Sequence, residues 1–167
     1  SSESAELHRK ENYAFLQVVT AKFYAEKTGN VVTCTSDYGR SWTDKELVEL
    51  EGNVKIESKR GYLFTMPTLN YSGKTHEFQT DAIVQMRGPV VSEPTMLLTG
   101  KGLKADIDRE RFILLRDVVG RKRLKNKQWI RIVSKAGDFF TDEARAVFTD
   151  NVRAVMPGTV IDSEVFE

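Results

Sequence analysis

From residue 48 to residue 59 the chain reads VELEGNVKIESK, with apolar side chains on alternate positions: Val48, Leu50, Val54 and Ile56 face one way, and Glu49, Glu51, Asn53, Lys55 and Glu57 the other. A period of two is that of a β-strand with one buried face. The pattern recurs in FQTDAIVQMR, where Phe78, Ala82, Val84 and Met86 oppose Gln79, Asp81, Ile83, Gln85 and Arg87. Over 144–156, Ala144, Ala146, Phe148, Val152, Ala154 and Met156 alternate with Arg145, Thr149, Asn151 and Arg153. Such runs are antiparallel strands with one wetter face. Turn signals punctuate them at KTGN (27–30), KRG (59–61), YSGK (71–74), RGP (87–89), KAG (135–137) and MPG (156–158). Their close spacing predicts an all-β meander of short strands: a sandwich, jellyroll or barrel.

Helix is the weaker expectation. Residues 4–16 suit a short helical turn, since Ala5, His8, Asn12 and Phe15 have mixed periodicity. TDEARAV (141–147) has helix formers behind a Thr141 cap, but its alignment with the strand at 65–71 argues for strand. No low-complexity linker divides the chain, so 1–167 reads as one domain, with 1–12 as a flexible lead-in.

The chain also repeats itself. IESKRGYLFT (56–65) is echoed by IVSKAGDFFT (132–141), matching Ile56/Ile132, Ser58/Ser134, Lys59/Lys135, Gly61/Gly137, Phe64/Phe140 and Thr65/Thr141. Four further phrases share one shape: LEGNVKI (50–56), TDAIVQM (80–86), LRDVVGR (115–121) and FTDNVRAV (148–155). Their central valines, Val54, Val84, Val118 and Val152, stand 30, 34 and 34 positions apart. Each unit is about two strands with their turns, too small to bury its own apolar face, so neighbours must stack. Ser-Lys-x-Gly then reads as a turn between strands, with Gly61 and Gly137 supplying positive φ.

Composition narrows the function. Twenty-five basic and 24 acidic residues leave a net charge of +1, so whole-chain electrostatics give no reason to expect nucleic acid. No apolar run reaches the roughly 18–20 residues that span a bilayer, and SSESAELHRKEN lacks the apolar stretch of a signal peptide. One cysteine, Cys34, excludes an intrachain disulfide and a multi-cysteine metal site, and reads as a small buried apolar residue.

Catalytic patterns are absent: the two histidines, His8 and His76, form no HExxH, there is no GxSxG, and TGKG (99–102) is too short for a phosphate loop. His76 beside Glu77 reads as a solvated turn histidine sooner than a ligand, and Asp106 and Asp108 as solvent-facing strand carboxylates sooner than a cation site. NYS (70–72) fits a glycosylation sequon, a pattern short enough to arise by chance. No cofactor or metal is expected. RKRLKNK (121–127) is either a solvated loop or a contact for an anionic partner such as lipid phosphate, made by Arg121, Lys122, Arg123, Lys125 and Lys127.

LEGNVKIESKRGYLFTMPTLNY, then FQTDAIVQMRGP, then LLTGKGLKADIDRERFILLRDVVG resembles the OstA-like repeat of the lipopolysaccharide transport proteins, the LptC family above all. That family's order is a leGnV strand, a g..l.t..l.Y return, a tdapV strand and a GxGLxAD strand before a final nV. The resemblance covers residues 13–120, and IVSKAGDFFTDEARAVFTDNVRAVMPG is similar to one further unit, which leaves open a longer LptC or an LptA-like bridge component. It implies a periplasmic β-jellyroll open along one side, tethered to the inner membrane by an N-terminal anchor absent from these residues. It also implies receipt of lipopolysaccharide from the LptB–LptF–LptG extractor and delivery to an LptA-type jellyroll, without enzymatic activity.

An open sandwich would line an apolar groove for acyl chains, with Leu50, Val54, Ile56, Phe64, Tyr71, Val84, Met86, Leu98, Phe112, Leu114, Val118 and Val152 as candidate lining. The last strand candidates, ARAVFTDNVRAV and TVIDSEVFE, offer an edge for a partner's strand, with Phe148, Asn151, Val152, Arg153 and Ala154 continuing the lining. The competing reading is a carbohydrate-binding β-sandwich that uses Trp42, Tyr62 and Trp129 as sugar platforms.

Overall fold

The computed structural model describes residues 1–8, 12–25, 29, 31–58, 60–89, 95–140, 143 and 145–167. Within them the alternating runs form strands and no helix. In chain order these are β1 (Ser4–His8), β2 (Tyr13–Tyr24), β3 (Val31–Trp42), β4 (Leu47–Ser58), β5 (Leu63–Ser72), β6 (Glu77–Gly88), β7 (Met96–Asp106), β8 (Arg111–Arg123), β9 (Trp129–Ser134), β10 (Ala136–Phe140), β11 (Arg145–Met156) and β12 (Thr159–Phe166). They pair antiparallel in chain order as one sheet, with β9 and β10 end to end between β8 and β11.

A flat sheet this wide would leave its apolar face wet, and the contacts show that it is folded over. The Phe23 ring on β2 lies 4.3 Å from Tyr71 on β5 and 4.9 Å from Phe78 on β6, and Phe64 on β5 lies 4.8 Å from Phe112 on β8. None of these three contacts joins strands that are neighbours in the sheet. The two halves of each long strand therefore belong to facing layers, and the core lies between them.

The register shows where the crease runs. Glu51 to Val54 is three steps along β4, while their partners Thr68 and Met66 are two apart on β5. Likewise Thr80 to Ile83 on β6 faces Leu103 to Lys101 on β7, and Thr149 to Val152 on β11 faces Val165 to Ser163 on β12. One extra residue mid-strand is a β-bulge, which bends the strand and tightens its twist. Gly52, Asn53, Asp117, Asp150 and Asn151 take the bend with φ of 77°, 45°, 54°, 63° and 54°. Gly, Asn and Asp tolerate this left-handed region best. A Cβ on Gly52 would stand 2.6 Å from Asp37 Oδ2, the oxygen that accepts a 2.8 Å hydrogen bond from Asn53 Nδ2.

The repeated phrase is thus the crease itself: polar residues turn the strand, and the valine after them drops into the fold. Val54, Val84 and Val118 have no exposed surface and Val152 has 2%.

Four expectations change. Residues 4–8 form β1 and 13–24 form β2, not a helical turn, because backbone pairing such as Ala5 with Leu16 holds even the exposed SAELH segment extended. Within the expected lead-in, residues 4–8 pair with β2 along the sheet edge.

The two Ser-Lys-x-Gly copies are not equivalent. Ser58 closes a turn, with its Oγ accepting from Tyr62 N at 3.1 Å and Gly61 at φ 80°. Ser134 lies at a mid-strand bend, donating from Oγ to Ala136 O at 2.8 Å, as Ser36 does to Tyr38 O on β3. Gly137 has no positive φ; it is glycine because a Cβ there would stand 2.8 Å from the Phe139 ring.

Finally, β11 is not the sheet edge. Phe148, Val152, Arg153 and Ala154 pair with Phe166, Ser163, Asp162 and Ile161 of β12, and Asn151 sits in the bulge. The free edges are β1 and β12. The Thr141 cap, Ala144, Lys59 and most of the KTGN turn lie outside the described residues.

Candidate functional site

Opposite the crease the two layers part, and an apolar slot follows the opening. At one end is a recess lined by Val32, Ile56, Tyr62 and Phe64 from one layer and Phe78, Leu103, Ala105, Ile107 and Phe112 from the other. Tyr62 and Phe112 also line a narrow neck with Met86, Met96, Phe139 and Ala146. Met96 and Ala146 in turn line a second recess of about 380 Å³, together with Leu98, Gly120, Leu124, Ile130, Ile132, Phe148 and Phe166. The shared residues set these three side by side as a row of mainly apolar recesses along the mouth of the fold.

The aromatic residues along this path brace each other. Phe112 meets Phe64 edge-on and stacks on Phe139 at 4.6 Å, and Phe139 meets Phe148 edge-on at 5.5 Å. Such pairs contribute about 0.5–1.5 kcal/mol each beyond area burial, so the walls are rigid without a polar network.

The rim is charged and largely paired. Arg60, in the turn after β4, reaches Glu110, in the turn after β7, at 3.1 Å and so ties one lip to the other across the first recess. Arg111 Nε donates to Asp138 Oδ1 at 2.8 Å; that hydrogen bond raises the guanidinium pKa further above its usual value. Arg145 Nε donates to Glu143 at 2.8 Å and its other end approaches Glu167 at 3.5 Å, with the same upward effect led by Glu143. Both guanidiniums flank the Phe140 ring, at 5.2 and 4.0 Å. Burial raises the Tyr62 phenol pKa, partly offset by Arg60.

All twelve candidate lining residues face inward. Ile56, Phe64, Met86, Leu98 and Phe112 line the path, whereas Val54, Val84, Leu114, Val118 and Val152 sit in closed core; Leu50 is buried there too, and Tyr71 packs on Phe23. Sequence reading missed Met96, Ile130, Ile132, Phe139 and Ala146. The alternation in WIRIV (129–133) would have found Ile130 and Ile132.

Of the basic run, Arg121 and Lys122 line the second recess, Arg123 is half-buried, and Lys125 and Lys127 stand in the hairpin turn. The aromatic trio does not converge. Trp42 packs on Tyr13 at 5.3 Å under the Lys45 ammonium, Tyr62 lines the slot, and Trp129 is 39% exposed at the start of β9; among the described residues no ring contact joins any two of them.

Asp106 accepts from the backbone N–H groups of Asp108 and Arg109, each at 3.0 Å, and Asp108 lies 3.1 Å from His76 Nδ1. Asp106 thus holds the β7–β8 turn, and Asp108 ties that turn to the one between β5 and β6. Among the described residues no three metal-ligating side chains cluster.

The family model for lipopolysaccharide assembly, LptC-related, matches residues 1–123. No curated protein matches the sequence at a significant level. Among solved structures, the chain is similar to the crystal structure of LptH, the LptA-homologous periplasmic component of the conserved lipopolysaccharide transport device from Pseudomonas aeruginosa. The TM-score is 0.58 at 8% identity, covering 74% of this chain and 93% of that one. At that identity the likeness is one of fold, an LptA-like jellyroll.

Proposed function

The chain belongs to the LptC-related lipopolysaccharide-assembly family, and from that premise we propose that its slot holds lipopolysaccharide by the acyl chains on the way to a second jellyroll. The family acts in lipopolysaccharide transport, in the periplasm and in association with the inner membrane, by binding and not by catalysis. The finer reading is receipt from an LptB–LptF–LptG extractor and delivery to an LptA-type partner, with an N-terminal helix as tether.

The observation that carries the acyl-chain reading is the row of adjoining, mainly apolar recesses from Val32 to Phe166 along the open side. Each methylene buried there contributes about 0.8 kcal/mol, so several partly buried chains are held with no catalytic or metal group. Delivery is assigned to β12. Its Val160 and Val165 are 52% and 56% exposed on a free edge, and Phe166 already extends the slot to that end. A strand added there would be held by main-chain hydrogen bonds while the apolar path ran on into the next molecule.

The test is equilibrium binding of the purified chain to intact and to fully de-acylated lipopolysaccharide. The proposal expects binding of the intact lipid alone. Equal binding of the de-acylated glycan would replace it with the carbohydrate-binding reading.

A further inference from the structure

Among the described residues, most arginines that stand on the surface face an acid: Arg40 has Glu49 at 3.6 Å, Arg60 Glu110, Arg116 Asp81 at 3.7 Å and Arg153 Asp162 at 3.8 Å. With 25 basic and 24 acidic residues, pairing is what an even surface would show. One area departs from it. The pairing register runs Arg87 on β6, Leu97 on β7, Arg121 on β8, Arg131 on β9, Val155 on β11 and Val160 on β12. From β6 to β12 that outward row holds three exposed arginines and no acid; its acid, Glu57 on β4, stands two strands beyond Arg87. Arg121 and Arg131 are direct cross-strand partners, an arrangement of like charges that opposes folding.

We propose that this row, with Lys122, is a phosphate site for the head group of a lipid whose acyl chains lie in the second recess; it rests on the acyl-chain reading above. Arg121 and Lys122 are on the lip of that recess and count among its lining. An amphiphile seated in the slot therefore brings its polar head to these cations. A phosphate between Arg121 and Arg131 turns their repulsion into two charge-assisted contacts, and guanidiniums suit a phosphate better than ammonium groups because they donate in pairs. Leu97, 39% exposed between Arg87 and Arg121, keeps the floor of the site apolar. The basic run thus contributes only its first two residues. Arg87 and Arg131 complete the site from other strands.

The test uses the full chain and the double variant Arg121→Gln/Arg131→Gln, whose exposed side chains leave the fold intact. Each is titrated with lipopolysaccharide, with the same lipid after phosphatase treatment, with inorganic phosphate, and with phosphatidylglycerol vesicles. The parent is expected to prefer the phosphorylated lipid by about tenfold or more at low salt, a preference lost in the double variant and screened at high salt. Equal binding of both lipids by both proteins would overturn the phosphate site and leave the slot standing. Binding of neither lipid by the parent would overturn the slot and the site together. Inorganic phosphate binding as tightly as the lipid would overturn the coupling to the slot. A variant defect confined to vesicles would make the face a membrane contact instead.

Discussion

Gly120 is the position at which the proposed lipid binding should separate from folding. It lies on β8 opposite Leu98, is buried, and lines the second recess. A Cβ there would stand 2.5 Å from Leu98 Cδ2, the movable end of a side chain with an open recess of about 380 Å³ beside it. In Gly120→Leu, overpacking costs about 1–3 kcal/mol, offset by about 0.5–1 kcal/mol from removing glycine from a strand. The net loss of stability is about 0–2.5 kcal/mol, which a folded domain survives.

The new side chain takes the place of two to four methylenes of a bound acyl chain. At about 0.8 kcal/mol each, the loss is about 1.6–3.2 kcal/mol, or about 15- to 200-fold in affinity. Titration with fluorescent lipopolysaccharide, with a thermal melt of the same samples, reads both quantities, and Lys55→Leu on the outward face serves as control. A folded Gly120→Leu protein with parental affinity would refute the placement of acyl chains in this recess.

Gly52→Ala places a side chain at φ 77° against Asp37 and should lower stability by about 1–3 kcal/mol in urea denaturation, with the binding of the remaining folded protein unchanged. Cys34 is fully buried, and burial pushes its thiol up to about 12, so it should resist thiol reagents until the chain unfolds. Because the folded pKa lies above the unfolded value near 9.0, its contribution to stability is complete below pH 9 and declines as pH rises toward 12, by up to about 1.4 kcal/mol per unit. A Cys34→Ser chain, measured by denaturation across that range, should lose this part of the slope. Val160→Lys with Val165→Lys on β12 should abolish binding to an LptA-type partner while leaving the melting temperature within a few degrees, measured by pull-down and calorimetry.

Two signals of the crease coincide in the sequence, although the four phrases read there as repeating strands with turns and not as a mid-strand bend. The alternation of VELEGNVKIESK marks the buried face, and Gly, Asn or Asp before a valine marks the bend. What stayed hidden depends on pairing or space, not on residue type. SAELH carries no buried side chain, so nothing in its pattern announces β1; only the backbone ladder to β2 holds it. Gly61 and Gly137 look alike in sequence, yet one supplies a positive φ and the other makes room for Phe139.

The lip-to-lip pair of Arg60 and Glu110 and the arginine row of Arg87, Arg121 and Arg131 both require knowing which strands meet. Inward facing was legible for all the candidate lining residues. Which of them border the slot was not, because the split between slot and closed core follows from where the layers part.

That split is open to one direct measurement. A photocrosslinking amino acid placed in cells at Met96 or Ala146, inside the slot, should capture lipopolysaccharide, while the same group at Lys55, on the outward face, should not. Capture from Lys55 with none from Met96 and Ala146 would contradict transport through the slot.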